Sequence, residues 1–187
     1  EYQKALESYN NALKIKSNAA TLNNRGNLRY RLKDTEGAVK DFELAAKADP
    51  KDPNPQYNLG NVALETYKDY AGAISFYDKT LELSPRHTSA LINRGIAKQK
   101  LTAYEAAIAD FDAALKINPK SEYAYSKRGV ANLLRKDFEA AISDLTNAIK
   151  LNDKNMESFY NRGIAHQQLN NTELACQDWT KAKELKA

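Results

Sequence analysis

Cysteine, histidine and long hydrophobic runs are scarce in this chain of 187 residues, and each scarcity argues against a class of function. The single cysteine, Cys176, excludes internal disulfides and suits a small core residue better than a nucleophile. The two histidines, His87 and His166, lack the spacing that places two metal ligands on one helix face. No apolar run approaches the roughly 18 residues that span a bilayer. We therefore predict no catalytic residues, no metal and no cofactor, and we do not expect an enzyme.

Charge of either sign is also not concentrated anywhere in the chain. Lysine and arginine number 28 against 24 aspartates and glutamates, a formal net charge of +4, and the two signs are interleaved. This pattern is typical of solvated helix faces and not of a continuous basic stripe that binds nucleic acid. These features assign no compartment, and a cytoplasmic location is only the default expectation.

One short motif recurs along the chain. Asn-Arg-Gly stands at 24–26, 93–95 and 161–163, with the variants Asn-Leu-Gly at 58–60 and Lys-Arg-Gly at 127–129. The glycines are about 34 residues apart, and a fixed period of this size indicates a helical repeat array. The predicted array covers 1–187: residues 1–18 form the second helix of a truncated repeat, and five helix-turn-helix repeats occupy 19–52, 53–87, 88–121, 122–155 and 156–187.

Small and large residues alternate within each predicted helix pair. The glycine of the first helix is expected to face an alanine of the second helix, namely Ala38, Ala73, Ala107, Ala141 or Ala175. A large residue one turn further on is expected to fill the space between hairpins: Phe42, Tyr77, Phe111, Leu145 or Trp179. Thr102 and Glu105 are predicted to form a capping box at the start of a second helix.

These recurring residues resemble the tetratricopeptide repeat (TPR) family over essentially the whole chain. The resemblance implies an all-α fold, a right-handed superhelix of about eleven antiparallel helices, with the first helices lining a concave groove. Two departures are expected to perturb it locally: an extra residue around Tyr67–Asp69 and a joint at Lys16–Asn18 that is one residue short. The chain also resembles a fragment of a longer array, whose uncapped terminal helices would permit end-to-end self-association.

At two fixed positions of each repeat, an arginine and an aspartate are either both present or both absent. Four repeats carry Arg before the glycine and Asp before the large residue of the second helix: Arg25 with Asp41, Arg94 with Asp110, Arg128 with Asp144, and Arg162 with Asp178. In the second repeat the corresponding residues are Leu59 and Phe76. We predict an ion pair within each hairpin; the alternatives are pairing to the following repeat, or independent solvated charges.

The groove of the first helices is the predicted binding site. One helical position holds Asn24, Asn58, Asn93 and Asn161, interrupted by Lys127, and such amides can bond a peptide backbone without reading its side chains. This series is similar to the asparagine ladder in the TPR superhelix of O-linked N-acetylglucosamine transferases; alternatively, asparagine simply fits this position. The predicted site residues are Asn24, Asn27, Tyr57, Asn58, Asn61, Asn93, Ile96, Tyr123, Lys127, Val130, Tyr160, Asn161 and Ile164.

A second helical position changes character along the chain, from Asn27 and Asn61 to Ile96, Val130 and Ile164. The groove is therefore expected to be polar in its first half and apolar in its second half, flanked there by tyrosines 123 and 160; the alternative is that the aliphatic residues pack within the array or against a neighbouring molecule. The lysine and asparagine clamp with which some TPR domains bind acidic chaperone tails is incomplete here, because tyrosines 57 and 123 stand where two of its lysines belong.

Three functions are consistent with these patterns. The leading interpretation is a protein–protein interaction scaffold that binds an extended peptide or a partner protein in its groove. A substrate-recruiting region of a larger enzyme is the second, and a solenoid that binds RNA or another acidic surface is the third. A steep dependence of binding on salt would favour the third.

Overall fold

The computed structural model describes residues 2–186, and within them the chain forms eleven α-helices and one π-helical turn. The helices are α1 (Tyr2–Ile15), α2 (Ala19–Arg31), α3 (Thr35–Ala48), α4 (Pro53–Val62), α5 (Tyr70–Leu83), α6 (Thr88–Lys100), α7 (Tyr104–Ile117), α8 (Glu122–Leu134), α9 (Phe138–Leu151), α10 (Met156–Gln168) and α11 (Thr172–Glu184). The π-helical turn, Ala63–Tyr67, continues α4. The described residues contain no strand, which confirms the all-α class.

The helix contacts divide the chain into two compact units, with the division between Asn93 and Arg94 inside α6. In the first unit α2 packs against α3, and α4 against α5. In the second unit α8 packs against α9, and α10 against α11. The predicted division into five repeats of one array is an interpretation of the sequence period, and it stays a prediction.

The extra residue of the second repeat is absorbed by the π-helical turn. Each first helix is followed by a residue with positive φ, which lies eight residues after Gly60 at Lys68 but seven after the glycine at the other corners. At this corner the Asp69 N–H donates to the Ala63 carbonyl six residues back, whereas Asp34 donates to a carbonyl five residues back. The insertion therefore lies within Ala63–Tyr67 and not around Tyr67–Asp69, because a π-bulge takes one extra residue without breaking the helix.

The joint between α1 and α2 has the predicted short form. It contains residues 16–18, whereas four residues separate the helices at each of the later joints, for example 49–52 and 118–121.

The predicted capping box at Thr102 is wrong. Thr102 adopts a left-handed conformation with φ of 60°, and Ala103 is the N-cap residue of α7, without a side-chain hydrogen bond. At the equivalent corner before α3, Lys33 takes the left-handed position and Asp34 caps the helix through the Gly37 N–H. The Thr-x-x-Glu pattern begins one residue before the N-cap, because the corner needs a left-handed residue before the cap.

The glycines contact the large residues of the partner helix, and not primarily the alanines that the sequence suggested. A Cβ atom at Gly26 would lie 2.6 Å from the Phe42 ring, and one at Gly60 would lie 2.6 Å from the Tyr77 ring. The predicted alanines are nevertheless fully buried, as Ala38 is, so the second helix presents both a small and a large residue to its neighbours. Glycine is required because the ring occupies the space of a side chain.

The predicted ion pairs within the hairpins are confirmed. In each pair the arginine Nε and Nη2 atoms donate to the two carboxylate oxygens: Arg25 to Asp41 at 2.8 and 2.6 Å, Arg94 to Asp110 at 2.9 and 2.6 Å, Arg128 to Asp144 at 2.9 and 2.5 Å, and Arg162 to Asp178 at 2.8 and 2.6 Å. The aspartates are buried, with 1–5% of their surface exposed. Bidentate, charge-assisted bonds of this kind stabilise a buried carboxylate.

Several of the arginines also reach the second helix of the preceding hairpin. The Nη1 atom of Arg25 donates to Asn10 at 2.8 Å, and that of Arg162 donates to Thr146 at 3.0 Å. Arg128 makes the same type of bond to Asp112. Its two carboxylate partners raise the pKa of Arg128 above its ordinary value. These arginines therefore tie consecutive hairpins together.

The second repeat replaces the ion pair with an apolar contact. Leu59 is buried in a cluster with Phe42 and Val62, and the half-buried Phe76 packs against the same cluster. The joint loss of both charged partners is consistent with a pair that is stable only when complete.

A further donor to the buried carboxylate comes from the residue four positions after the arginine. Arg29 approaches Asp41 at 3.0 Å, Lys98 approaches Asp110 at 2.8 Å, and Asn132 donates to Asp144 at 2.9 Å. His166 occupies this position beside Asp178, but its Nδ1 atom is buried without a hydrogen-bond partner among the described residues. Burial lowers the pKa of His166 below its ordinary value of 6.5, Asp178 opposes that shift, and Arg162 reinforces it.

Substituting His166→Asn is expected to raise the free energy of unfolding by about 1 kcal/mol, because the amide can donate to Asp178 as Asn132 does to Asp144. The substitution is also expected to flatten the pH dependence. Below about pH 6.5 the unfolded histidine binds a proton that the native histidine resists, so wild-type stability should fall as pH decreases through this window. Urea unfolding at about pH 7.5 and about pH 5.5 measures both effects. If the free energy of unfolding of the variant fell as steeply with decreasing pH as that of wild type, the assignment to His166 would be contradicted.

Candidate peptide-binding surface

Asparagine side chains of the first unit form hydrogen bonds between neighbouring first helices. Asn58 on α4 donates through Nδ2 to Asn23 Oδ1 on α2 at 2.8 Å. The bond does not join the two predicted ladder members Asn24 and Asn58 directly, because Asn23 lies one residue before Asn24. The half-buried Asn58 amide keeps its carbonyl oxygen and its second N–H for other partners.

A denser network surrounds Asn61 and Asn93. Asn93 Nδ2 on α6 donates to Asn61 Oδ1 at 3.0 Å and to the Tyr57 hydroxyl at 3.3 Å. The Tyr77 hydroxyl from α5 donates to Asn61 Oδ1 at 2.8 Å. The Tyr57 ring packs against the His87 ring, with centroids 4.7 Å apart. Four of the predicted residues of this unit, Tyr57, Asn58, Asn61 and Asn93, are therefore held by defined contacts.

The other two predicted residues of the first unit lie at a separate place. Asn24 and Asn27 are exposed and line a cleft of about 300 Å³ together with Tyr2, Ala5 and Tyr9 of α1. Their amides are not part of the network around Asn61.

Three predicted residues of the second unit share one largely apolar cleft. Val130 on α8 and Ile164 and Asn161 on α10 line a space of about 590 Å³. The remaining lining residues come mostly from the corner between α8 and α9: Leu133, Leu134, Lys136, Phe138 and, from α10, Gln168. Ile96 is half-buried on α6 and does not line this cleft.

Lys127 interrupts the asparagine series and is paired with Glu157. Its Nζ atom donates to the two Glu157 carboxylate oxygens at 3.0 and 3.1 Å and lies 5.1 Å from the centre of the Tyr123 ring. This contact joins α8 to α10 and neutralises the lysine, so the position does not offer an unpaired cation to a ligand carboxylate.

Tyr160, which is expected to flank the apolar half of the groove, is not among the residues that line the Val130 cleft. It lines another apolar cleft, of about 410 Å³, with Met156, Trp179 and Ala182 between α10 and α11. Tyr123 is nearly half exposed beside Lys127.

Sequence reasoning missed two contributions to this surface. The corner residues Leu134 and Phe138 are absent from the prediction, because the helical period identifies only the exposed faces of the first helices. The repeat pattern predicts Tyr77 as a packing residue only, although its hydroxyl distinguishes it from Phe42, Phe111 and the other large residues of the second helices. That hydroxyl was the available signal for a polar partner.

No group of three or more His, Cys, Asp or Glu side chains within 2–186 is arranged to hold a metal ion. None of the described helices is both long enough and apolar enough to cross a membrane.

Comparison with known proteins finds the same repeat in both sequence and structure. A family model described as tetratricopeptide repeat matches residues 1–53, 24–88 and 92–150. A segment of the Homo sapiens tetratricopeptide repeat protein 6 is 29% identical over 92 residues, which is 49% of this chain and 18% of that protein. The match therefore spans only a small part of the human relative.

Solved structures of similar fold cover most of the chain. MamA (residues 41 to the end) from Desulfovibrio magneticus RS-1 has a TM-score of 0.82 and 26% identity, covering 90% of this chain and 94% of that one. YrrB, described as a TPR protein with an unusual peptide-binding site, has a TM-score of 0.80 and 20% identity, covering 96% of this chain and 93% of that one. At 20% identity, the likeness to YrrB concerns the fold alone.

Proposed function

Because this chain belongs to the tetratricopeptide repeat family, we propose that it is an interaction scaffold that binds an extended segment of a partner protein along its first helices. The observation that carries the proposal is the hydrogen-bonded set of amides around Asn61 and Asn93, which leaves polar atoms held in defined orientations. YrrB has the same fold and is described as having a peptide-binding site, so an array of this kind is suited to peptide ligands.

Each unit, taken by itself, offers a different kind of contact to a peptide. In the first unit the amides of Asn58, Asn61 and Asn93 would bond the peptide main chain. In the second unit the cleft between Val130 and Ile164 would take an apolar side chain, with the Asn161 amide at its edge. Apolar lining with a few placed polar groups is the usual composition of a ligand site.

The positive net charge does not favour nucleic acid as the ligand. Arginines 25, 94, 128 and 162 all form bidentate pairs with buried aspartates, and Lys127 is paired with Glu157. Cations that are already paired contribute little to binding phosphate groups. A protein ligand is therefore the better fit to these first helices.

The triple substitution of Ile96, Val130 and Ile164 by Asp is expected to abolish peptide binding, because two charges would enter the apolar cleft and a third would replace the half-buried Ile96 side chain on α6. The probe is a peptide of twelve residues (about 40 Å extended) selected against the wild-type chain from a random library. Its affinity for wild type and variant would be measured by fluorescence anisotropy, and helix content by circular dichroism.

The matched control places the same charges on exposed leucines of the second helices, with Leu44, Leu83 and Leu151 replaced by Asp. Binding should survive in this control. A milder variant, Val130→Ser with Ile164→Ser, covers the case in which the triple variant fails to fold. Unchanged affinity in the folded triple variant or in the serine variant would refute the proposed site.

A further inference from the structure

The hydroxyl of Tyr77 is a polar group inside the second repeat that the scaffold itself does not need. The side chain is fully buried, and the equivalent residues Phe42 and Phe111 are buried to the same extent without a hydroxyl. Burial raises the pKa of Tyr77 above its ordinary value, so the hydroxyl remains a donor. Its proton goes to Asn61 Oδ1 at 2.8 Å.

The bonds around Asn61 and Asn93 occupy one end of each amide. Asn61 Oδ1 accepts from Tyr77 and from Asn93, which uses both of its lone pairs. Asn93 Nδ2 donates to Asn61 and to the Tyr57 hydroxyl, which uses both of its N–H groups. Within residues 2–186 no other protein group bonds to Asn61 Nδ2 or to Asn93 Oδ1.

We propose that Tyr77 is a positioning residue of the peptide site: it orients Asn61 to present N–H donors and, through Asn61, orients Asn93 to present a carbonyl acceptor. An extended peptide carries alternating carbonyl acceptors and N–H donors, so Asn61 would bond a main-chain carbonyl and Asn93 a main-chain N–H. The inference rests on the proposed function, and it specifies which main-chain group of the peptide each amide binds.

The combination of a hydroxyl with an amide occurs in the second repeat alone. The position of Asn61 is filled in the other repeats by Asn27, Ile96, Val130 and Ile164, and the position of Tyr77 by Phe42, Phe111, Leu145 and Trp179. Trp179 has a polar atom, but its Nε1 donates to the Tyr160 carbonyl and not to a side-chain amide. The other repeats show that a large apolar residue is sufficient for packing at this position, which leaves the hydroxyl for orientation.

The orientation can be tested on the wild-type chain without a ligand. Side-chain amide signals of Asn61 and Asn93 would be assigned by NMR with the variants Asn61→Asp and Asn93→Asp, and their exchange with water measured. The Asn93 NH2 protons should exchange more slowly than those of Asn61, because both are hydrogen-bonded. If the Asn61 protons exchanged more slowly than those of Asn93, the oxygen and nitrogen of both amides would be in exchanged positions. That result would overturn the proposal.

The role of Tyr77 is tested by Tyr77→Phe, with Tyr70→Phe on the same helix as the control. In Tyr77→Phe the Asn93 protons should lose their protection, and affinity for the selected peptide should fall by about 3- to 10-fold. Affinity should be unchanged in Tyr70→Phe. Failure to select any peptide would count against the proposed function. A selected peptide that binds Tyr77→Phe with wild-type affinity, or unchanged Asn93 exchange in that variant, would refute the positioning role alone.

Discussion

Asp178→Ala is expected to lower the free energy of unfolding by about 3–5 kcal/mol. The carboxylate is 5% exposed and accepts two bonds from Arg162, at 2.8 and 2.6 Å. Removing it leaves a guanidinium that is only 19% exposed, still bonded to Thr146 but without a counter-charge. The loss is dominated by this uncompensated charge, and not by the net contribution of the pair, since a complete buried pair is often no more stable than an apolar one.

The second repeat of the chain supplies the control. Leu59 and Phe76 stand where the other repeats have arginine and aspartate, and they lie in an apolar cluster. The double substitution Arg162→Leu with Asp178→Phe introduces the same two apolar residues into the last hairpin. The double variant should lose less free energy of unfolding than Asp178→Ala alone, because it contains no buried charge without a partner.

Urea unfolding followed by circular dichroism would measure the free energies, and amide hydrogen exchange would show where they act. Neighbour-to-neighbour contacts dominate repeat arrays, so the loss should be concentrated in α10 and α11. A cost below about 1 kcal/mol for Asp178→Ala would show that the pair behaves as a surface salt bridge.

The features that recur in most repeats were predictable from the sequence, because each repeat is a separate test of the same contact. The ion pairs are the clearest case: Leu59 and Phe76 replace both partners in the second repeat, and this joint replacement identifies the partners from the sequence. The left-handed corner at Thr102 was not predictable in this way. Its Thr-x-x-Glu pattern satisfies a local capping rule, and only the backbone of the corner excludes the cap.

The candidate site was predicted in residue type more than in geometry. The helical period placed Asn58, Asn61 and Asn93 on one surface, but it could not show that Asn58 bonds to Asn23 and that Asn93 bonds to Asn61. Amide direction depends on partners from other helices, here the hydroxyls of tyrosines 57 and 77. The sequence alone contains no direct record of those contacts.

The second large effect is expected in the contact between Gly95 and Phe111. Phe111 is fully buried, and Phe111→Ala should cost about 3–5 kcal/mol because it leaves a cavity between α6 and α7. The opposite change, Gly95→Val, should also destabilise. A Cβ atom at Gly95 would lie 2.7 Å from the Phe111 ring and 3.2 Å from the Ala107 carbonyl oxygen. Overpacking of this kind typically costs about 1–3 kcal/mol, and the better helix propensity of valine recovers less than about 1 kcal/mol.

The two changes should compensate when combined, because a valine at 95 would partly fill the space that Phe111→Ala vacates. A double-mutant cycle in urea would therefore give a cost for Gly95→Val that is smaller in the Phe111→Ala background than in wild type. The backbone oxygen of Ala107 cannot move as the ring can, so the compensation should be partial. Purely additive costs would mean that the ring does not limit the size of residue 95, and that glycine is present for the close approach of the two backbones.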